Sequence, residues 1–247
     1  MTLLLGMSVL QWVPLASAII SFCAVVVAMS ALGFQYWQFK KNREPVIGPA
    51  IKKFNVELPE AHLDWETGDE IDGQFSRTTI PLYNYGGTTA INIEYSYSCT
   101  NIKEMGKMIN GNFKTKYRNI VINSVNEEVG TFNVLVENPK GVRIIEETRR
   151  YIERRDLIKS NDKVEILLPS YFIMIIAHIA QIKQIDNKGI LPILELCVTY
   201  NDVNHKSYKV KYIIKIGLFR QNIKTAPDKP KLEFECIPEF ISKVKLK

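Results

Sequence analysis

From Trp12 to Trp37 the chain runs 26 residues without a charge, and residues 1–39 hold no Lys, Arg, Asp, Glu or His. About 20 helical residues at 1.5 Å each cover a hydrocarbon core of about 30 Å, so this run is long enough to span a bilayer with some tilt. Trp12 at one end and Tyr36 and Trp37 at the other suit the two membrane interfaces, where amphipathic rings settle. Pro14 is expected in the first helical turn, where its missing N–H has no partner to lose. A cleaved secretory signal would carry a basic start and a shorter apolar run, so the segment is expected to stay as an anchor.

Lys40, Lys41 and Arg43 follow the run directly, and no Lys or Arg precedes it. The positive-inside rule then predicts a single-pass protein of the cell (inner or plasma) membrane, with its N-terminus outside and its C-terminal domain in the cytoplasm. Ser17, Ser21, Ala24, Ala28 and Ala31 recur at spacings of 4, 3, 4 and 3. Small residues on one helix face let two helices approach closely, which predicts homo-oligomerisation within the bilayer.

The 247 residues leave room for one domain beyond the anchor. The expected division is an anchor at 1–44, a soluble domain at 45–224 and a C-terminal strand with a basic tail at 225–247. The net charge of +6 and pI near 9.0 come from scattered lysines, with no basic run interleaved with aromatics. Nucleic acid is therefore not the expected partner, and attraction to anionic lipid explains the charge as well. Cysteines stand at 23, 99, 197 and 236 with no Cys-x-x-Cys pair, so neither a zinc site nor a dithiol redox site is indicated. They read as free thiols, with a bridge between two of the last three left open.

Beyond Pro45 the dominant signal is alternation with period two, the mark of strands with one buried face. Ile91, Ile93, Tyr95, Tyr97 and Cys99 face one way, and Asn92, Glu94, Ser96 and Ser98 the other. Leu194, Leu196, Val198 and Tyr200 form a second inward set, and Tyr208, Val210, Tyr212, Ile214, Ile216 and Leu218 a third. The polar stretch 201–207 joins the last two as a hairpin. Weaker strands are expected at 54–58, 78–84, 131–137, 164–168 and 232–237. About eight strands without βα alternation predict a mainly β fold, an immunoglobulin-like antiparallel sandwich carrying one or two helices.

One helix is expected over 144–152, because Ile144, Ile145, Thr148, Tyr151 and Ile152 fall at i, i+1, i+4, i+7 and i+8. Arg149, Arg150, Arg154 and Arg155 would lie on or beside its other face as candidate contacts for lipid or a partner, the plainer reading being a solvated face. The apolar core of residues 170–182 is too short to cross a bilayer as an upright helix. A buried or sheet-covering helix capped by Ser170 is the first reading and an interfacial segment the second. His178 within it reads as a packed histidine, with no second ligand at metal spacing.

Ile80 to Ile93, with Asn84, Gly86, Gly87, Ala90 and Asn92, resembles the Asn-x-Gly, Ala-x-Asn pattern of uncharacterised bacterial single-pass membrane proteins with small immunoglobulin-like domains. Val198 to Tyr208, with Tyr200 and Asp202, resembles the Tyr-x-Asp hairpin that often closes those domains. The resemblance implies architecture and membrane attachment and carries no catalytic residue. In this chain a Gly pair replaces the single Gly, and Asn204 and His205 stand where the hairpin Gly is usual. Physically, Asn84 is suited to bond its neighbouring backbone, Gly86 or Gly87 to take positive φ, and Ala90 to permit close packing.

No nucleophile elbow, phosphate loop, dinucleotide fingerprint or His-Glu-x-x-His is present. The acidic stretch Glu60, Asp64, Glu66, Asp69, Glu70 and Asp72 misses calcium-loop spacing and reads as a solvated loop. No catalytic residue, metal ligand or cofactor is expected. The expected function is a membrane-anchored, non-catalytic binding or scaffold module with a protein partner, for instance one encoded nearby. The alternative is an oligomerising membrane effector or sensor of a bacterial defence or stress system, and an enzyme comes third.

Overall fold

A computed structural model of the chain describes residues 9–57, 75–112, 119–126, 131–138, 141–147, 151–186, 190–222 and 231–246. Two compact units divide at Glu44 and Pro45. The first is helix α1 (Val9–Asn42), within which Ala16–Lys40 is long and apolar enough to cross a membrane. The Ser30 hydroxyl donates to the Val26 carbonyl one turn back at 2.8 Å, so this polar side chain is satisfied inside its own helix. Because α1 already includes Val9, Pro14 lies inside it and not in a first turn. Spanning helices tolerate such a proline.

The second unit is mainly β. Its elements in chain order are β1 (Ile47–Pro49), β2 (Lys52–Glu57), β3 (Phe75–Asn84), β4 (Ala90–Cys99), α2 (Ile102–Asn112), β5 (Asn119–Asn126), β6 (Thr131–Asn138), β7 (Gly141–Glu147), β8 (Tyr151–Ile158), β9 (Lys163–Pro169), α3 (Ser170–Asp186), β10 (Leu194–Asn201), β11 (Ser207–Asn222) and β12 (Lys231–Lys245). They form a β1-β3-β9 sheet, a six-stranded β2-β12-β11-β10-β4-β8 sheet and a β5-β6-β7 sheet. The strands pair antiparallel and share one apolar interior, as a β-sandwich requires.

The hairpin predicted over 194–218 forms in register, with Leu194 opposite Ile214 and Asn201 opposite Ser207. Leu194, Leu196, Val198, Tyr200, Tyr208, Val210, Ile214 and Ile216 are buried, as alternation demands. In β4 the alternation slips. Ala90 is fully buried while Ile91 is half-buried, because β4 carries one extra residue against β10 between Ile91 and Glu94. Asn92 takes φ 51° there, and a bulge of this kind reverses which side chains point inward.

The helix expected over 144–152 does not form. Gly141–Glu147 is strand β7 on β6, and Tyr151–Ile158 is strand β8 on β4. The β-branched and aromatic residues of this stretch fit a pleated surface, and the two open strand edges outweigh a short helical pattern. Sequence reading also missed α2, although Ile102, Met105 and Ile109 are buried at helical spacing. The Asn110 side chain bonds the Ile122 backbone twice, accepting from N at 2.9 Å and donating to O at 2.8 Å. The helix is thereby fastened to β5.

Helix α3 begins at Ser170, and Tyr171 to Ile176, His178 and Ile179 are buried in it. The Tyr171 ring meets Phe132 edge-on at 5.2 Å. It is thus a buried helix on β3 and β9, as first expected. The strand expected at 232–237 extends to Lys245. The four cysteines are free thiols, three of them buried. The acidic stretch from Glu60 to Asp72 lies outside the described residues.

Candidate functional site

Register alone gathers one set of loops at one end of the β unit. Ile47 lies opposite Asn84, Tyr83 opposite Lys163, Ala90 opposite Ile158, Asn201 opposite both Ile91 and Ser207, and Tyr208 opposite Lys245. The turns 85–89, 159–162 and 202–206, the end of β12 and the entering segment at Pro45 therefore share one pole. Cys99, Tyr151, Pro169 and Leu194 lie toward the other end, where α2 and α3 start.

Asn84 organises the first pole. Its Oδ1 accepts from Val46 N at 3.2 Å and Gly86 N at 3.0 Å, and its Nδ2 donates to Thr88 O at 2.7 Å and Ile158 O at 3.1 Å. Its own N–H donates to Asp162 O, and its carbonyl accepts from Asn161 N, both at 2.9 Å. A fully buried amide with every donor and acceptor used thus ties together the entering chain and two turns. Ser160 Oγ adds a bond to Gly86 O at 2.7 Å, and Gly87 sits exposed beside it.

Asp202 performs the corresponding task in the hairpin. Its Oδ1 accepts from Asn204 N at 2.8 Å and Lys206 N at 2.9 Å, and its Oδ2 from the Tyr208 hydroxyl at 3.3 Å. His205 takes φ 59°, the left-handed conformation that a glycine would supply at no steric cost. The Asp202 carboxylate therefore holds a hairpin turn that contains no glycine.

Three side chains from the large sheet fasten the entering segment. Tyr200 Oη donates to Pro45 O at 3.0 Å, Tyr212 Oη to Ile47 O at 2.8 Å, and Lys243 Nζ to Pro45 O at 3.5 Å. Gly48 leaves room for the Tyr212 ring, since a Cβ there would meet its Oη at 2.7 Å. Burial, and then the neighbouring Tyr85, push the Tyr212 hydroxyl up to about 12, so it keeps the proton it donates. Tyr212 and Lys243 escaped sequence reading as site residues, because a strand tyrosine reads simply as core and a tail lysine as solvated.

The remaining candidates divide between the two units. In α1, Tyr36, Trp37 and Lys40 are exposed, as is the whole seam of Ser17, Ser21, Ala24, Ala28 and Ala31. Trp12 and Lys41 are helical. The Arg43 guanidinium lies over the Phe39 ring at 3.9 Å. In the β unit, Arg154 reaches across to Glu94 at 3.1 Å and Arg155 lies 3.7 Å from Glu153. These are pairings along a strand surface and not a gripping helix face. Arg149 and Arg150 lie outside the described residues. No group of three His, Cys, Asp or Glu at metal-holding distance occurs among the described residues. Burial pushes the Cys99 and Cys236 thiols up to about 12, which keeps them protonated and unreactive near neutral pH.

Fold and pole together define a mainly β domain whose entering strand is hydrogen-bonded in place directly after an apolar helix of membrane-spanning length. No family model and no curated protein matches the chain. Among solved structures, a Hippeastrum protein named as an adenylyl cyclase and described for a dominant triphosphatase activity is similar at 8% identity. It covers 75% of this chain and 78% of its own, with a TM-score of 0.12, and carries no argument about this one.

Proposed function

We propose that the chain is a membrane-anchored binding module that presents its β domain to a protein partner in the cytoplasm. The observation that carries this reading is the fastened stem. Pro45 and Ile47, the first residues after the anchor, are bonded to Tyr200 and Tyr212 of the large sheet. The entering chain is thus held at one pole of the β unit, and the other pole, with α2 and α3, is left for a partner. The charge step at Lys40, Lys41 and Arg43 supports the cytoplasmic orientation. The strand orders β1-β3-β9 and β11-β10-β4-β8 correspond to A-B-E and G-F-C-C′, which supports an immunoglobulin-like reading of the sandwich.

The test places a photo-crosslinking amino acid at Lys107, exposed on α2, in the full chain in its native membrane. One discrete adduct with a cytoplasmic protein is the expected result. Crosslinking that returns only the chain itself counts against a partner at that pole. A cysteine at the same position that a membrane-impermeant reagent labels in intact cells overturns the orientation.

A second reading, an oligomerising membrane effector, draws on the small-residue seam, which stands exposed along α1. Its test is dye leakage from proteoliposomes, expected to vanish in Ala24→Leu/Ala28→Leu; equal leakage from that variant excludes it.

A further inference from the structure

We infer that the pole around Pro45 is itself a lipid-binding surface, seated on the anionic headgroups of the bilayer that the anchor crosses. This deepens the proposed function and rests on its reading of α1 as a membrane span.

The first ground is apolar side chains exposed on turns and at the ends of strands. Val46 is 44% exposed, Tyr85 57%, Val203 52%, Val244 53% and Leu246 39%, and all five belong to the one pole assembled by the strand registers. Turn tips of a water-facing pole favour polar residues, and contiguous apolar exposure marks an interaction surface. The second ground is charge. Lys159, Lys206 and Lys245 are exposed there, against Asp162 and, on the entering chain, Glu44 as exposed acids; Asp202 is buried in its turn. Apolar tips among lysines match the interface of an anionic leaflet.

The third ground is reach. The span ends at Lys40 and the pole begins at Pro45, five residues later. Even fully extended, five residues cover no more than about 18 Å, and the headgroup layer fills about 5–7 Å of that. The pole that carries Pro45 therefore cannot stand far from the bilayer, whereas the α2 pole can.

A second copy of the chain is the competing occupant, by strand addition to β12. Past Cys236, β12 has no strand on its outer side among the described residues. That edge, however, carries Pro238, an extra residue at Ile241 where the register to β11 shifts, and Lys243 and Lys245. A proline, a bulge and edge lysines are the devices that block strand pairing, and lysines do not hinder docking on anionic lipid.

The test uses the full chain in vesicles of phosphatidylcholine, alone or mixed with phosphatidylglycerol. An environment-sensitive fluorophore is attached at Val244→Cys in a Cys23→Ala background; the remaining thiols are buried. Lipids brominated in the acyl chain are the quencher, and the same probe at Lys107→Cys on α2 and at native Cys23 supplies the controls. Strong quenching at Val244, none at Lys107, and loss of most of the Val244 quenching in Lys206→Glu/Lys245→Glu are expected, with more quenching when phosphatidylglycerol is present. An unquenched Val244 probe beside a quenched Cys23 probe overturns the inference and leaves the anchor standing. An unquenched Cys23 probe removes the anchor reading itself. Energy transfer between Val244 probes on two copies, without quenching, assigns the pole to a second copy and also overturns the inference.

Discussion

Asn84 shows how one side chain carries an architecture. Its amide serves two N–H groups and two carbonyls from separate segments, and no other residue type offers that set at that size. Asn84→Ala is expected to lower unfolding free energy by at least about 2 kcal/mol, since each buried partner left unpaired costs about 1–3 kcal/mol. Asn84→Asp, which keeps the acceptor but turns a buried carboxylate oxygen toward the Thr88 and Ile158 carbonyls, should cost at least as much; urea denaturation of the two variants checks the order. Alkaline pH acts at the same scale. Burial raises Cys99 and Cys236 to about 12, and Tyr212 rises to about 12 by burial and Tyr85. Unfolded thiols titrate near about 8.5 and tyrosine near about 10. Groups raised in the folded state stabilise it fully below those unfolded values and lose that contribution as pH climbs toward 12. Denaturation midpoints should therefore be flat from neutral pH to about 8.5 and decline steadily above it. A midpoint that holds to pH 11 would contradict the burial of these groups.

Among the elements, the strands with clean alternation were legible and those governed by partners were not. The β10–β11 hairpin was readable because both strands bury one face and the polar turn between them contains its own Asx-type residue, Asp202. In β4 the phase is set by the bulge at Asn92, and nothing in an alternating Ile-Asn-Ile run announces an extra residue. Asn92→Val should cost about 1–2 kcal/mol, because a β-branched residue resists φ 51°, whereas Asn92→Gly should be nearly neutral. Thermal melts of both variants separate backbone strain from loss of a side-chain contact, since the latter would make them equal. The stretch 144–152 was misread for a related reason. A five-residue apolar set fits either period when it is short, and only the edges of β6 and β4 select strand. Helix α2 went unread because Gly106, Asn110 and Gly111 depress local helix propensity, while its burial against β5 compensates.

For the molecule as a whole, the seam on α1 predicts self-association. Ala24→Leu/Ala28→Leu should abolish chemical cross-linking between copies in mild detergent while leaving the β domain's circular dichroism unchanged. Persistent cross-linking would move the contact off the seam. The candidate pole was legible only in fragments. Asn84, Gly86, Ala90, Tyr200 and Asp202 were recognisable as turn and packing residues, but not as parts of one surface. Pro45 and Tyr200 stand 155 positions apart, and nothing local in either marks the other. The sequence by itself determined the apolar span, the charge step after it and the paired strands of the hairpin, since each is a property of neighbouring residues. Only the tertiary structure decided the fates of Gly141–Glu147 and Tyr151–Ile158, the slip in β4 and the convergence of four distant segments on Pro45. Those depend on which strand edges and hydrogen-bond partners the folded chain brings within reach, and spacing along the chain does not record that.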